Sequence, residues 1–165
     1  MKLIDKILVP TDFSDLSLAA IEYAVSFSKI YDAKLYMIHV VEQLPVLAFH
    51  TVDMNSETVL RDALKDAEKD LKKFIADKLP HIKNIMTVVR RGDACKEIVT
   101  YASEGHFDLI IMATHGRTGL AHILMGSIAE SVVRNSSVPV LTVKPEEMKN
   151  GFVKVDDIEE QLHLN

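Results

Sequence analysis

Five short apolar runs, spaced along the chain by longer stretches with helical periodicity, restrict what this polypeptide can fold into more than any other feature. The runs are Lys6 to Pro10 (KILVP), Lys34 to Val41 (KLYMIHVV), Ile85 to Val89, Phe107 to Thr114 (FDLIIMAT) and Val138 to Val143 (VPVLTV). They are short and rich in β-branched residues, and the longest are nearly continuous in apolar character rather than alternating, the pattern of strands covered on both faces. Between the first two, Ser14 is an N-cap and Leu16, Ala20, Tyr23, Ala24, Phe27 and Ile30 recur at three- and four-residue spacing, which predicts one buried stripe of a helix. A second helix is predicted from Ser56, with Leu60, Leu64, Ala67, Leu71 and Phe74 inward and Pro80 closing the stretch. A third is capped by Asp93, turns Ala94, Ile98 and Ala102 inward and stops at Gly105; a fourth opens at Gly126-Ser127 with Ala129, Val132 and Val133 inward. Strict alternation of this kind argues for parallel strands joined by right-handed crossovers, an α/β fold with one doubly wound five-stranded sheet.

In such sheets ligands bind outside the carboxyl ends of the strands, where strand order reverses. Two segments therefore matter most: Pro10 to Ser14, and Ala113 to Ser127. The rest of the composition narrows the partners. A length of 165 residues fits one domain. The net charge of −5 opposes a polyanion such as DNA, whose binding rests on Lys and Arg displacing counterions. Apolar runs are too short to span a membrane, the opening Met1-Lys2-Leu3-Ile4-Asp5 is not of export-signal type, and Cys95 has no second cysteine to pair with. The expectation is a cytoplasmic protein that binds neither nucleic acid nor membrane.

Ala113-Thr114-His115-Gly116-Arg117-Thr118-Gly119 leaves the end of a buried strand, and Gly126-Ser127 opens a helix. Small residues at both ends let backbone approach a ligand closely, the helix start offers unpaired N–H groups and a positive dipole end, Ser127 adds a hydroxyl and Arg117 a cation. An isolated pair of glycines would more simply make turns. Here the strand before, the helix after, the cation within and the position on the sheet edge together favour phosphate binding. The Lys-Ser/Thr P-loop is absent, as is the dinucleotide fingerprint after the first strand.

At this point the chain resembles the universal stress protein family, whose ATP-binding members carry Gly, two residues, Gly, nine residues, Gly, then Ser or Thr. Gly116, nine intervening residues, Gly126 and Ser127 match, and Ala113 stands where the first glycine would be. The resemblance runs from about Lys6 to Lys144 and includes Ile7-Leu8-Val9-Pro10-Thr11-Asp12-Phe13-Ser14, His39-Val40-Val41, Asp108-Leu109-Ile110-Ile111-Met112 and Ser137-Val138-Pro139-Val140-Leu141. It implies a Rossmann-like sheet of the adenine nucleotide alpha hydrolase type, in the order 3-2-1-4-5, within a universal stress protein domain at 1–144 and a C-terminal tail at 145–165. It implies ATP, ADP or AMP as ligand. Pro10 and Asp12 would line the adenosine side and Val40 would meet adenine through its backbone. Ala113, Gly116, Arg117, Gly126, Ser127 and Ile128 would hold ribose and phosphates, Thr11, Met112 and His115 complete the nucleotide-binding set, and Asp12 is also the candidate to face a Mg ion carried on those phosphates. Pairing of two copies through the Val138 to Val143 edge strand, as in similar proteins, would give a homodimer; left bare, that apolar edge is an aggregation liability.

Bland readings stand beside these. Asp12 can simply close the turn into the first helix. His39, inside an apolar strand, reads as a hydrogen-bonded core histidine rather than a metal ligand, and His115 as a phosphate donor or an ordinary loop residue. Cys95, near a helix start, is placed where its pKa can be lowered. The expected activity is that of a regulatory protein with slow or no ATP hydrolysis; the alternative is an interaction protein of the same fold that uses no nucleotide. The Ser-Gly-Gly-x-Asp-Ser loop of the related ATP pyrophosphatases does not occur after the first strand.

Overall fold

The computed structural model describes residues 4–42, 57–82, 84–114 and 125–144. Strands and helices alternate as β1 (Lys6–Pro10), α1 (Asp15–Tyr31), β2 (Lys34–Val41), α2 (Glu57–Lys78), β3 (Ile85–Arg91), α3 (Ala94–Glu104), β4 (Leu109–Ala113), α4 (Ser127–Asn135) and β5 (Val140–Val143). They form one sheet in the order β3-β2-β1-β4-β5 with every pair parallel, as expected. β1 and β2 have the expected bounds; β3 runs two residues further, to Arg91, because it follows β2 in register through Val41↔Arg91. β4 and β5 are shorter than the apolar runs that mark them.

The apolar continuity of the strands has a direct structural cause. On β1, Ile7 and Val9 enter one cluster with Ala20, Ile21, Ala24 and Val25 of α1 and Leu71 and Phe74 of α2, while Leu8 enters the opposite cluster with Ile98 and Ala102 of α3 and Ala129 and Val132 of α4. β4 divides the same way, Leu109 and Ile111 against Ile110 and Met112. Each fully buried side chain of this size contributes about 1.5–3 kcal/mol, so a two-faced strand gains at every position.

Two helix faces differ from expectation. On α1 the buried residues are Ser17, Ala20, Ile21, Ala24 and Val25, while Tyr23 is 51% and Ile30 74% exposed. The helix is rotated by about 100°, one residue step, from the face that its aromatic residues suggest. Ala20 and Ala24 belong to both stripes; the sheet accepts the one flanked by compact Ile21 and Val25, which lets the helix lie close. On α4, Ala129 and Val132 are buried as expected but Val133 is 45% exposed.

The edge of the sheet at the strand starts is closed by its own groups. The Asp108 carboxylate accepts from the backbone N–H groups of Asp5 (2.7 Å) and Lys6 (2.9 Å), and Lys6 Nζ donates to the Gly105 carbonyl at 2.9 Å. Gly105 ends α3, as expected, but for lack of space rather than for backbone freedom: its φ is −78°, and a Cβ there would lie 2.5 Å from the Phe107 ring and 2.9 Å from the Tyr101 carbonyl. The left-handed residue at this turn is His106, at φ 51°.

Candidate functional site

At the opposite edge the described residues leave an opening. Between β1 and β4 the strand order reverses, and a cavity of about 510 Å³ opens above the carboxyl ends of β1, β2 and β4, walled by the starts of α3 and α4. Its size falls within the roughly 300–1,000 Å³ of small-molecule sites.

One wall is the turn from β1 into α1. Pro10 ends the strand, and Asp12 Oδ1 accepts from Ser14 N–H (3.1 Å) and from the Ser14 hydroxyl (2.5 Å), so Asp12 does close the turn while also lining the cavity. Ser14 caps α1, accepting from Ser17 N–H. Phe13 is held at φ 65°, an uncommon conformation for a bulky residue, with its N–H donating to Thr11 Oγ1 at 3.1 Å. Its ring stacks on His39 at 4.1 Å and tilts against Phe74. His39 Nδ1 lies 2.8 Å from the Thr11 carbonyl; a carbonyl only accepts, so the ring carries a proton on Nδ1. His39 is thus the hydrogen-bonded histidine expected, half-buried on the cavity wall.

The second wall is the end of β2. Thr11 N–H donates to the Ile38 carbonyl (2.9 Å) and Gly92 N–H to the Val41 carbonyl (3.1 Å), so Ile38 faces β1 and Val41 faces β3. Val40, two residues beyond Ile38, turns its amide and carbonyl to the side of β1 at a level where β1 has ended. A donor and an acceptor side by side on one backbone are thereby presented to the cavity, beside Ala94 and Ile98 of α3.

The starts of three helices border the opening, and they differ in charge. α1 is capped by Ser14 with Asp12 and Asp15 beside it; α3 is capped by Asp93, whose carboxylate accepts from Lys96 N–H at 2.8 Å. α4 begins at Gly126, which has no side chain to cap it. Gly126 N–H itself is used, donating to the Thr114 carbonyl at 2.7 Å and pinning the end of β4 to the start of α4. Among the described residues, the donors turned outward are the N–H groups of Ser127, Ile128 and Ala129, the first turn of α4, all on the cavity lining. This end can receive an anion; the ends at α1 and α3 already hold carboxylates.

Of the residues singled out from the sequence, Pro10, Thr11, Asp12, Val40, Met112, Ala113, Gly126, Ser127 and Ile128 come together on this one lining. His115, Gly116 and Arg117 lie outside the described residues. Ala113 shares the α1 side of β4 with Leu109 and Ile111 and packs against that cluster, so its methyl points away from the α3–α4 side and the cavity meets its backbone. Sequence reasoning missed Ser17, Glu42, Ala94, Ile98 and Thr114, which also line the cavity. Ala94 and Ile98 were legible only as an inward helix stripe, and the hydroxyls carry no spacing signal of their own. The expected lowering of the Cys95 pKa is corrected: burial pushes the thiol up, the neighbouring Asp93 carboxylate adds to the rise, and a hydrogen bond with Asn135 offsets part of it. Helix-start stabilisation of the thiolate is outweighed by burial first and by the Asp93 carboxylate at that start second. Among the described residues no three metal-ligating side chains cluster, and no helix is long and apolar enough to cross a membrane.

Comparison with known proteins bears on the same segments. Residues 4–144 match the model of the Universal stress protein family. Universal stress protein MJ0531 of Methanocaldococcus jannaschii is 40% identical over 142 residues, covering 84% of this chain and 81% of that protein. The solved structure of MJ0577 from the same organism superposes with a TM-score of 0.72 at 27% identity, covering 87% of this chain and 98% of its own. A universal stress protein family member of Arabidopsis thaliana, solved with AMP bound, has the same fold, with a TM-score of 0.57 and 20% identity over 88% of this chain and 94% of its own.

Proposed function

The chain belongs to the universal stress protein family, and we propose that it works there as a regulatory protein that binds an adenine nucleotide in the cavity at the carboxyl edge of the sheet. The observation that carries this reading is the cavity's polarity. At one end the α4 start turns N–H donors outward with no carboxylate cap, which suits phosphate; at the other Val40 presents a donor and an acceptor, which suits the paired hydrogen-bonding edge of adenine. Asp12 lies between as an acceptor for ribose hydroxyls. The AMP-bound Arabidopsis relative shares the fold, and the ligand assignment stands on this chain's own lining.

ATP, ADP and AMP fit the same description, since they differ only beyond the α-phosphate. A Mg ion carried on the phosphates would draw on Asp12, because Mg is held by one or two carboxylates beside phosphate oxygens. Among the described residues the lining carboxylates are Asp12, committed to Ser14 through one oxygen, and Glu42; turnover is expected to be slow or nil. The working unit is a homodimer formed through β5, an edge strand whose Val140 and Leu141 are half-buried in the single chain, and its place is the cytoplasm.

Mass analysis of small molecules released from freshly purified protein, followed by calorimetric titration with ATP, ADP and AMP, tests the assignment. An adenine nucleotide near one per chain, and its loss in Gly126→Val, supports it. Absence of any affinity in the wild type would leave the alternative, an interaction protein that uses no nucleotide. Light scattering at micromolar concentration tests the dimer; a monomer there overturns it.

A further inference from the structure

Thr11 and Ser17 are buried polar residues on the cavity lining, 6% and 4% exposed. Their hydroxyl protons can be assigned by counting donors. Ser17 Oγ lies 2.7 Å from the Ser14 carbonyl, which only accepts, so the single Ser17 hydroxyl proton is committed there. The 3.0 Å contact between Thr11 Oγ1 and Ser17 Oγ must then be donated by Thr11. Thr11 Oγ1 in turn accepts from Phe13 N–H at 3.1 Å. A one-way relay results, from Phe13 N–H to Thr11 to Ser17 to the Ser14 carbonyl, and it begins and ends on the two residues that come after Asp12.

What this relay maintains is the left-handed Phe13. With Phe13 at φ 65°, the chain doubles back so that Ser14 N–H and its hydroxyl both reach Asp12 Oδ1, which fixes the carboxylate on the cavity wall. Three further contacts clamp the same turn from β2 and α2: Thr11 N–H on the Ile38 carbonyl, His39 Nδ1 on the Thr11 carbonyl, and the Phe13 ring between His39 and Phe74. Strained backbone of this kind persists only where its surroundings over-determine it. Because both hydroxyl protons are spent inside the turn, neither Thr11 nor Ser17 can donate to a ligand.

We propose that Thr11 and Ser17 are positioning residues of the binding site, acting on the ligand through Asp12 by holding Phe13 in its left-handed conformation. Their role rests on the cavity being a nucleotide site. It gives two ordinary hydroxyls an influence on affinity that their own contacts with a ligand would not explain.

The test is a double-mutant cycle on nucleotide affinity, read by titration well below the melting temperature of each variant, with melting recorded in parallel. Thr11→Val keeps the shape and removes the hydroxyl; it is expected to weaken binding about tenfold, the cost of one lost hydrogen bond to a buried partner. Thr11→Ser restores the hydroxyl and is expected to bind as the wild type does. In an Asp12→Ala background, Thr11→Val is expected to leave affinity unchanged while still lowering the melting temperature. Ser17→Ala is expected to behave like Thr11→Val with a smaller loss. Wild-type affinity in a folded Thr11→Val, or full additivity with Asp12→Ala, overturns the proposal alone. A wild type without affinity for the nucleotide overturns the reading beneath it and the proposal together.

Discussion

The two edges of the sheet meet the same problem with opposite outcomes. Where the strands begin, the backbone donors of Asp5 and Lys6 end on Asp108, and the Lys6 ammonium ends on the Gly105 carbonyl and lies 5.9 Å from the centre of the Phe107 ring. Where the strands end, one helix start is left without a side-chain cap and a cavity stands over it. The first edge spends its donors internally and contributes stability; the second turns donors toward a cavity, where the proposed ligand would take them. The difference lies in a few side chains, an Asp at one edge and a Gly at the other.

If this division holds, substitutions at the two edges should separate binding from stability. The largest expected effect is Gly126→Asp. The backbone at Gly126, φ −67° and ψ 151°, suits any residue, and an Asp there would cap α4 and fill the anion end with its own carboxylate. Nucleotide affinity should fall about 100-fold while stability holds or rises by a few tenths of a kcal/mol. Calorimetric titration and denaturant unfolding check the pair of results; a fall in both would mean that the cavity and the fold are not separable. Gly105→Ala should do the reverse, costing about 1–3 kcal/mol through the clash with Phe107 and the Tyr101 carbonyl, with affinity unchanged. Asp108→Ala should cost about 1–2 kcal/mol by orphaning two backbone donors, again without effect on binding.

The smallest effect sharpens the comparison among helix starts. Burial and Asp93 raise the Cys95 pKa, so less thiolate is present at neutral pH than for a free cysteine, and alkylation should be slow there and gain speed as pH rises past the usual thiol range. Asp93→Asn removes one of the two raising causes and should speed alkylation at pH 7 by a few-fold, measured by iodoacetamide trapping. An unchanged rate would show that burial alone governs the thiol.

Strand positions were readable in the sequence because a two-faced sheet requires uninterrupted apolar character, and the helix starts because Ser14, Asp93 and Gly126 are recognisable by type. The rotation of α1 was not readable, since Ala20 and Ala24 serve two stripes and only the shape of the sheet decides between Ile21 with Val25 and Tyr23 with Ile30. The doubly wound topology pointed to Pro10 to Ser14 and Ala113 to Ser127, and the family resemblance added Val40, Met112 and Ile128; neither named the residues of α3, because a helix residue facing the core gives no sign of whether the core ends above it. Thr11 and Ser17 were invisible as a pair: their bond needs the left-handed Phe13, and nothing in the letters around Phe13 announces that conformation.

The central position of β1 has a consequence for how the molecule is made. Of these five strands it is synthesised first, yet its register with β4 joins residues 102 positions apart in the chain (109 − 7), Ile7 with Leu109. On the ribosome β1 can pair with β2, and β2 with β3, long before the other neighbour of β1 emerges. For that interval an apolar strand edge of the nascent chain stays open, and its protection falls to chaperones and to the speed of translation rather than to anything in the finished fold.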